Sequence, residues 1–430
     1  MPHDSAQRGT SRRRFLATTS GLAAAGALGP HWFATTRQAL GNEEPRSKND
    51  RLVFGAIGLG GQGTHIANNA ARFGDIVAVC DVDRERAEKA KAHFGGKADI
   101  FEDYRKLVER PDINAVTIGT PDHWHTAVCL AALRAGKDVY CEKPLTLTID
   151  EGKLLIKTVA ETGRVFQVGT QQRSDDRFRL ACELVRNGRI GKLKHVTVTL
   201  PDSPAGGPFA KQPVPPNLNW DFWLGQAPAV DYIPERCHYQ FRWWYEYSGG
   251  IMTDWGAHHM DIAHWGMGIE DSGPLTIEGK GKLPNIVDGY NTPNLFTVDF
   301  TYPNDVTLHV NIGDNGVLFE GDKSRVYVNR GRIAGKPVED LKDNPLPEDR
   351  IKLIVSKDHM GNFVSCVKSR EKPISDVVSQ HRSVSACHLA NISLRLGRKL
   401  TWDAQAEKFV GDSEADAMLS RAQRAPYVVA

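Results

Sequence analysis

The chain is poor in cysteine, and what it has is unpaired by spacing. Seven of 430 residues are Cys, an odd number with no C-x-x-C motif, so no disulfide plan is evident, and several sit in apolar patterns that suit buried free thiols. Long apolar runs are missing too. The weakly apolar, Ala/Gly-rich stretch that ends at Gly29 is too short and too polar for a stable membrane anchor. An excess of one charge is also lacking: 54 Lys and Arg stand against 52 Asp and Glu, a net +2. Residues 1–40 carry five arginines and one acid, so the rest of the chain is at −2. That balance gives nucleic acid and anionic membranes nothing to bind. There is no internal repeat. An apolar content of 40% and a charged content of 25% suit an ordinary soluble enzyme, long enough for two domains.

What is present begins at the N-terminus. Ser11-Arg-Arg-Arg-Phe-Leu16 matches the twin-arginine export signal S-R-R-x-F-L at every specified position. Residues 1–40 are therefore expected to be a removable leader read by the twin-arginine export machinery, cut between Ala27 and Ala39, with the mature protein periplasmic or otherwise exported. Polar residues 41–50, with Pro45, read as a linker.

The stretch on which the rest is organised is Leu52 to Gly63. An apolar strand, Leu52 to Ile57, runs into Gly58-x-Gly60-x-x-Gly63 and then a helix from Thr64. Gly58 permits the tight turn, Gly60 lets backbone approach a pyrophosphate, and Gly63 lets the helix pack on the strand. Gly61 and Gln62 lie in the same loop, and the helix N-terminus offers free N–H groups to phosphates. A second apolar strand, Ile76 to Cys80, ends at Asp81, about 20 residues past the glycines, where an acid holds the adenosine ribose hydroxyls and repels a 2′-phosphate. Strand, glycines, helix, strand and acid in register predict a dinucleotide site for NAD in preference to NADP.

Strand and helix patterns keep alternating to Gly169, which predicts a parallel doubly wound sheet over residues 51–170. Beyond Gln171 the pattern changes to short strands joined by Gly, Asn and Asp turns, beginning with the period-two stretch His195 to Leu200. Residues 171–430 are expected to form an α/β domain with an open, mostly antiparallel sheet.

Two clusters can do chemistry. Glu142-Lys143-Pro144 stands at the end of a predicted parallel strand, where ligands of such sheets bind; Thr120-Pro121, with His123 and His125, ends another. The second cluster, Ser248 to Trp265, places Asp254, His258, Asp261 and Trp265 on one helical face. A carboxylate one turn before a histidine can orient the imidazole. The spacing fits no named zinc signature, and no catalytic metal is expected.

Together the glycine fingerprint, Asp81, Thr120-Pro121, Glu142-Lys143-Pro144 and Asp254-x-x-x-His258-x-x-Asp261 resemble the Gfo/Idh/MocA oxidoreductases over roughly residues 52–400. The resemblance implies a Rossmann domain followed by an α/β domain whose sheet mediates a homodimer or homotetramer. It implies an enzyme oxidising a secondary hydroxyl of a sugar, polyol or glycoside with NAD. By that likeness Lys143 polarises the reacting oxygen, His258 moves the proton and Asp254 orients His258. Asp261, Gln171, Arg173 and His259 are implied on the substrate side. The aromatic cluster Trp220, Trp223, Trp243, Trp244 and Tyr245 is open to two readings, sugar stacking or core. An exported enzyme has no free nicotinamide pool, so the alternative is a redox-neutral reaction on a retained cofactor, as in family members that cleave glycosides, although the His-containing motif of those glycosidases is absent here.

Overall fold

A computed structural model describes residues 51–430; the leader and linker expected over residues 1–50 lie outside the described residues. Six parallel strands form the first sheet: Leu52–Ile57 (β1), Gly74–Cys80 (β2), Asp99–Phe101 (β3), Ala115–Ile118 (β4), Asp138–Cys141 (β5) and Phe166–Val168 (β6), in the order β3-β2-β1-β4-β5-β6. The order reverses between β1 and β4, and a crevice opens there at the carboxyl ends of the strands. β4 and β5 are buried along their whole length, as strands covered on both faces must be.

After β4 a helix runs from Asp122 to Arg134. Pro121 at its N-cap, with φ −58°, and the acid Asp122 in the first turn favour this start, which places His123 and His125 in the helix. In the helix Ile149–Thr162, Thr148 Oγ1 accepts from the Glu151 N–H at 3.4 Å. The Glu151 carboxylate accepts from the Leu147 N–H and Thr126 Oγ1, so it caps the residue before Thr148 in return.

The second sheet has nine strands among the described residues. They are Leu193–Leu200 (β7), Thr276–Lys282 (β8), Leu295–Thr301 (β9), Thr307–Ile312 (β10), Gly316–Gly321 (β11), Arg325–Val328 (β12), Ile333–Ala334 (β13), Leu400–Asp403 (β14) and Lys408–Phe409 (β15), in the order β13-β12-β11-β7-β10-β9-β8-β14-β15. All neighbours are antiparallel except β7 and β10, which run parallel. Its strands alternate buried and half-exposed residues. The buried set joins one apolar core with helices Gly256–Met267 and Val377–Leu396.

The expected single helix over Asp254 to Trp265 is divided at Trp255 into a short turn, Ile251–Asp254, and the helix Gly256–Met267. Gly250 has φ +69°, and a Cβ there would stand 2.6 Å from Thr292 Cβ; what approaches the glycines is protein. The two sheets are tied near the crevice: Arg84 N–H donates to Asn217 O at 2.8 Å and Asn219 N–H to Val82 O at 3.0 Å. All seven cysteines are buried and free. Among the described residues no helix is long and apolar enough to cross a membrane.

Candidate functional site

A cavity of about 460 Å³ lies at the carboxyl ends of β1, β2, β4 and β5, closed on the far side by residues of the second domain. At one end is the glycine loop. Gly58 has φ +78°, and a Cβ there would meet the Thr120 backbone at 2.4 Å. A Cβ on Gly63 would meet Gly58 O at 1.8 Å, so this close helix–strand contact requires glycine. Gly60 and Gly61 face open space but for the guanidinium tip of Arg86, and both line the cavity. Gly60 caps the helix Gly61–Ala71 without a side chain, leaving first-turn N–H groups free for an anion. Gln62 reaches across to Glu142 Oε1 at 2.8 Å.

Asp81 lines this end of the cavity. Its carboxylate accepts from the N–H groups of Leu59 at 2.7 Å and Asp83 at 2.9 Å; burial pushes its pKa up, against these bonds. The acid thus pins the glycine loop and keeps further lone pairs for ribose hydroxyls. Arg86, which the motif does not mark, lines the same end, 3.6 Å from Asp83.

At the other end Lys143 projects from the carboxyl end of β5. Its ammonium donates to the Asp254 carboxylate and, at 3.2 Å, to Asp254 O. Arg242 stands 3.5 Å from the same carboxylate. Burial alone would raise the Asp254 carboxyl, but the two cations hold it below the usual range. The structure shows no bond from Asp254 to His258: the acid expected to orient the imidazole grips the lysine instead, because the break at Trp255 separates the two residues. His258 lines the cavity with Nδ1 buried and without a partner among the described residues. Burial, then the positive fields of Lys143 and Arg330, push its pKa well below 6.5, so the imidazole is a neutral proton acceptor.

The other expected residues divide into wall and support. Thr120, Pro121, His125, Glu142 and Gln171 line the cavity. Gln171 donates to Glu142 Oε1 at 3.1 Å, and burial raises the Glu142 pKa. Both ring nitrogens of His125 face carbonyls, Pro144 O at 2.6 Å and Thr120 O at 3.0 Å, a pattern only an imidazolium satisfies. Burial opposes that charge, yet Cys141, Asp122 and the Pro144 carbonyl lift His125 to about 10.

His123, Arg173, His259 and Asp261 are off the wall. His123 Nε2 bonds Trp223 O at 2.9 Å. His259 Nε2 bonds Asn315 Oδ1 at 2.6 Å. Arg173 and Asp261 grip each other through three bonds of 2.7 to 3.1 Å, with Gln380 on the same carboxylate. Helical spacing put Asp261 on the face of His258, but the buried Arg173, from the turn Gln171–Ser174 just after β6, claims it. Of the aromatic cluster only Trp223 lines the cavity. Trp220 stacks on Trp223 at 4.8 Å in the core, and Tyr245 is held between Arg395 and Arg421. Trp255, Arg242 and Arg330 also line the cavity; they sit at a helix break, in the short 3-10 helix His238–Trp243 and in a turn, where no periodicity marks them. Among the described residues no group of three or more His, Cys, Asp or Glu side chains is placed to hold a metal ion.

Residues 52–170 match the family model described as the oxidoreductase family, NAD-binding Rossmann fold (GFO_IDH_MocA), and residues 207–429 match that family's C-terminal alpha/beta domain. The myo-inositol 2-dehydrogenase of Thermotoga maritima is 29% identical over 243 residues, 55% of this chain and 62% of that enzyme, so the chain spans under two thirds of its length. The inositol 2-dehydrogenase of Rubrobacter xylanophilus is 34% identical over 326 residues, 69% of this chain and 78% of that enzyme. The WlbA dehydrogenase of Bordetella pertussis, solved with NADH and UDP-GlcNAcA, superposes with a TM-score of 0.61 at 18% identity, covering 82% of this chain and 99% of that one; this shows a shared fold.

Proposed function

The chain belongs to the Gfo/Idh/MocA oxidoreductase family and carries its NAD-binding Rossmann domain, and on that premise we propose that it oxidises a secondary hydroxyl of a sugar or polyol. One observation carries the reading: Lys143, held by Asp254, and His258, with its unpartnered Nδ1, stand on one wall at the end of the cavity opposite the glycine cradle. The cradle fits a dinucleotide, because its backbone is bare at Gly60 and Gly61 and side chains are excluded at Gly58 and Gly63. A dinucleotide held by the glycine cradle and Asp81 would supply the hydride acceptor for the carbinol carbon. Lys143 binds the hydroxyl oxygen and stabilises the charge that grows on it. Asp254, itself held by Arg242, fixes the lysine, and His258 accepts the hydroxyl proton.

The test is direct. Purified protein with NAD is offered neutral and acidic sugars, polyols and glycosides, while nicotinamide absorbance and products are followed together. Substrate-dependent reduction of NAD is the expected result; a panel that yields neither NADH nor converted product rejects the reading.

The proposal includes export. Ser11 to Leu16 carries the folded enzyme through the twin-arginine route with its dinucleotide inside, since the site exists only after folding and bound ligand stabilises the folded form. A structural feature favours retention, and with it the redox-neutral alternative. Asn217 Nδ2 bonds Asp83 at 2.7 Å, and His238 stands 3.5 Å from the same acid. Segments of the second domain thus strap the ribose end of the cavity. Near-stoichiometric NAD(H) released on denaturing the washed, exported protein is expected; an empty site that binds added NAD weakly overturns retention.

A further inference from the structure

The cavity lining holds one cation, Arg330, that no protein group pairs with among the described residues. Lys143 and Arg242 share the carboxylate of Asp254. The other wall acids are engaged, Glu142 by Gln62 and Gln171 and Asp122 by Ser248 at 2.5 Å. Arg330 also lines the cavity, yet among the described residues its guanidinium has no hydrogen bond and no carboxylate within salt-bridge distance.

Arg330 is an exposed side chain, but it stands on an ordered turn. It sits in the turn between β12 and β13, which Asn329 locks by accepting from the N–H groups of Gly331 and Arg332 at 2.9 Å. Asn329 is itself tied to Tyr327 OH at 3.0 Å. The guanidinium lies over the Trp255 ring at 4.4 Å, and that ring is 6.0 Å from the ring of His258. Stacking of this kind fixes the plane of the fork and strips water from one face. Burial accordingly lowers the Arg330 pKa, against the distant pull of Asp254, Asp175 and Glu142.

The dinucleotide does not explain this charge. Its phosphates belong at the glycine cradle, where Arg86 already stands, with Nη1 2.9 Å from the Cβ position of Gly60. Arg330 is at the opposite end, beside His258. An arginine fork that lies over an aromatic ring, with its donors free, matches the two oxygens of a carboxylate or of a phosphate ester.

We infer that the substrate carries an anionic group, a carboxylate or a phosphate ester, that docks on Arg330 while the hydroxyl to be oxidised lies at Lys143. The substrate class is then sugar acids or sugar phosphates in preference to neutral sugars and polyols. This rests on the dehydrogenase reading above and narrows it.

Matched compounds decide it: glucose with glucuronate, sorbitol with gluconate, glucose with glucose 6-phosphate, each assayed with NAD for kcat/KM on the full protein and on Arg330→Gln and Arg330→Lys. The expected result is a preference for the anionic member. Arg330→Gln should cut the anion-to-neutral ratio of kcat/KM on the order of 10- to 100-fold, the worth of a charge-assisted bond, chiefly through KM. Arg330→Lys should recover part of the ratio. A merely structural role would lower both members equally and leave the ratio alone. Preference for the acids or for the hexose phosphate identifies the group. Turnover of neutral members above their anionic partners, or a ratio unmoved by Arg330→Gln, overturns the inference and leaves the dehydrogenase reading standing. If no compound reduces NAD, that reading fails by itself. Thermal shifts of the NAD-loaded protein with the same panel then decide the anion site: an Arg330-dependent shift with the anions supports it, and none overturns it.

Discussion

Replacing Lys143 with Met separates the two tasks of this lysine. The side chain keeps its length and apolar stem but loses the ammonium that bonds the Asp254 carboxylate and carbonyl. At contact distance and an effective dielectric of ~20, two unit charges attract by about 5 kcal/mol, and desolvation of the pair takes back much of it. Breaking a buried pair outright costs roughly 3–5 kcal/mol. Here Arg242 remains 3.5 Å from the stranded carboxylate, and the two side chains keep 14% and 15% exposure, so the loss should be smaller, about 2 kcal/mol. Turnover should fall by about 10²–10⁴-fold, the usual cost of a positioned proton-transfer or charge-stabilising group. Adding Asp254→Asn removes the stranded charge, so the double variant should regain most of the lost stability without regaining activity. Urea unfolding measures the first effect and NAD reduction on the preferred substrate the second. Near-parental turnover by Lys143→Met would refute the catalytic role. A double variant less stable than the single one would refute the account of the pair.

Four further outcomes are expected. His258→Ala should lose a similar 10²–10⁴-fold in turnover while retaining NAD, checked by cofactor titration. Gly63→Ala should lower the unfolding temperature, because its Cβ would lie 1.8 Å from Gly58 O, whereas Gly60→Ala should keep stability but weaken NAD, since its Cβ meets only the tip of Arg86; calorimetry and NAD titration on both variants check this. NAD should bind at least about tenfold more tightly than NADP because the Asp81 carboxylate repels a 2′-phosphate, with Arg86 the residue that would reverse the order; equal binding would count against the assignment of Asp81. Acid should destabilise the protein. Burial holds His259 and His359 at about 4 and His123, His264 and His388 at about 3. Between about pH 6.5 and 4 the unfolded chain therefore binds protons that the folded one refuses, and each site withdraws up to about 1.4 kcal/mol per pH unit as pH falls. Buried Asp81, Asp122, Glu142 and Glu151, whose pKa values burial raises, act in the opposite sense. Proton NMR titration of the folded protein separates the two: histidine rings that titrate near pH 6.5 would show that these sites are open to protons.

The parallel sheet was legible in the sequence because its evidence is local. A strand buried on both faces is an unbroken apolar run, and the fingerprint glycines are required by contacts a few residues away, as between Gly63 and Gly58. The lysine at the end of β5 and the acid at the end of β2 were legible for the same reason: topology puts every parallel strand end in the crevice. The second sheet was legible as a class, while the parallel pairing of β7 with β10 joins residues more than a hundred positions apart and leaves no local trace.

The sequence by itself determined the dinucleotide cradle, the lysine and histidine that line the cavity, and the two kinds of sheet. Only the tertiary structure decided which partner each polar side chain takes. Helical spacing put Asp254 and Asp261 beside His258, but Lys143 claims the first and Arg173 the second, because a buried carboxylate must find its nearest cation whichever element supplies it. His125, expected on a loop at the crevice, lines the cavity from a helix, with both ring nitrogens on backbone carbonyls. Arg330 had no motif at all; a locked turn and the ring of Trp255 bring it to the cavity. Periodicity records which face of an element a residue occupies, and the chemistry of a site depends on what the other elements bring to that face.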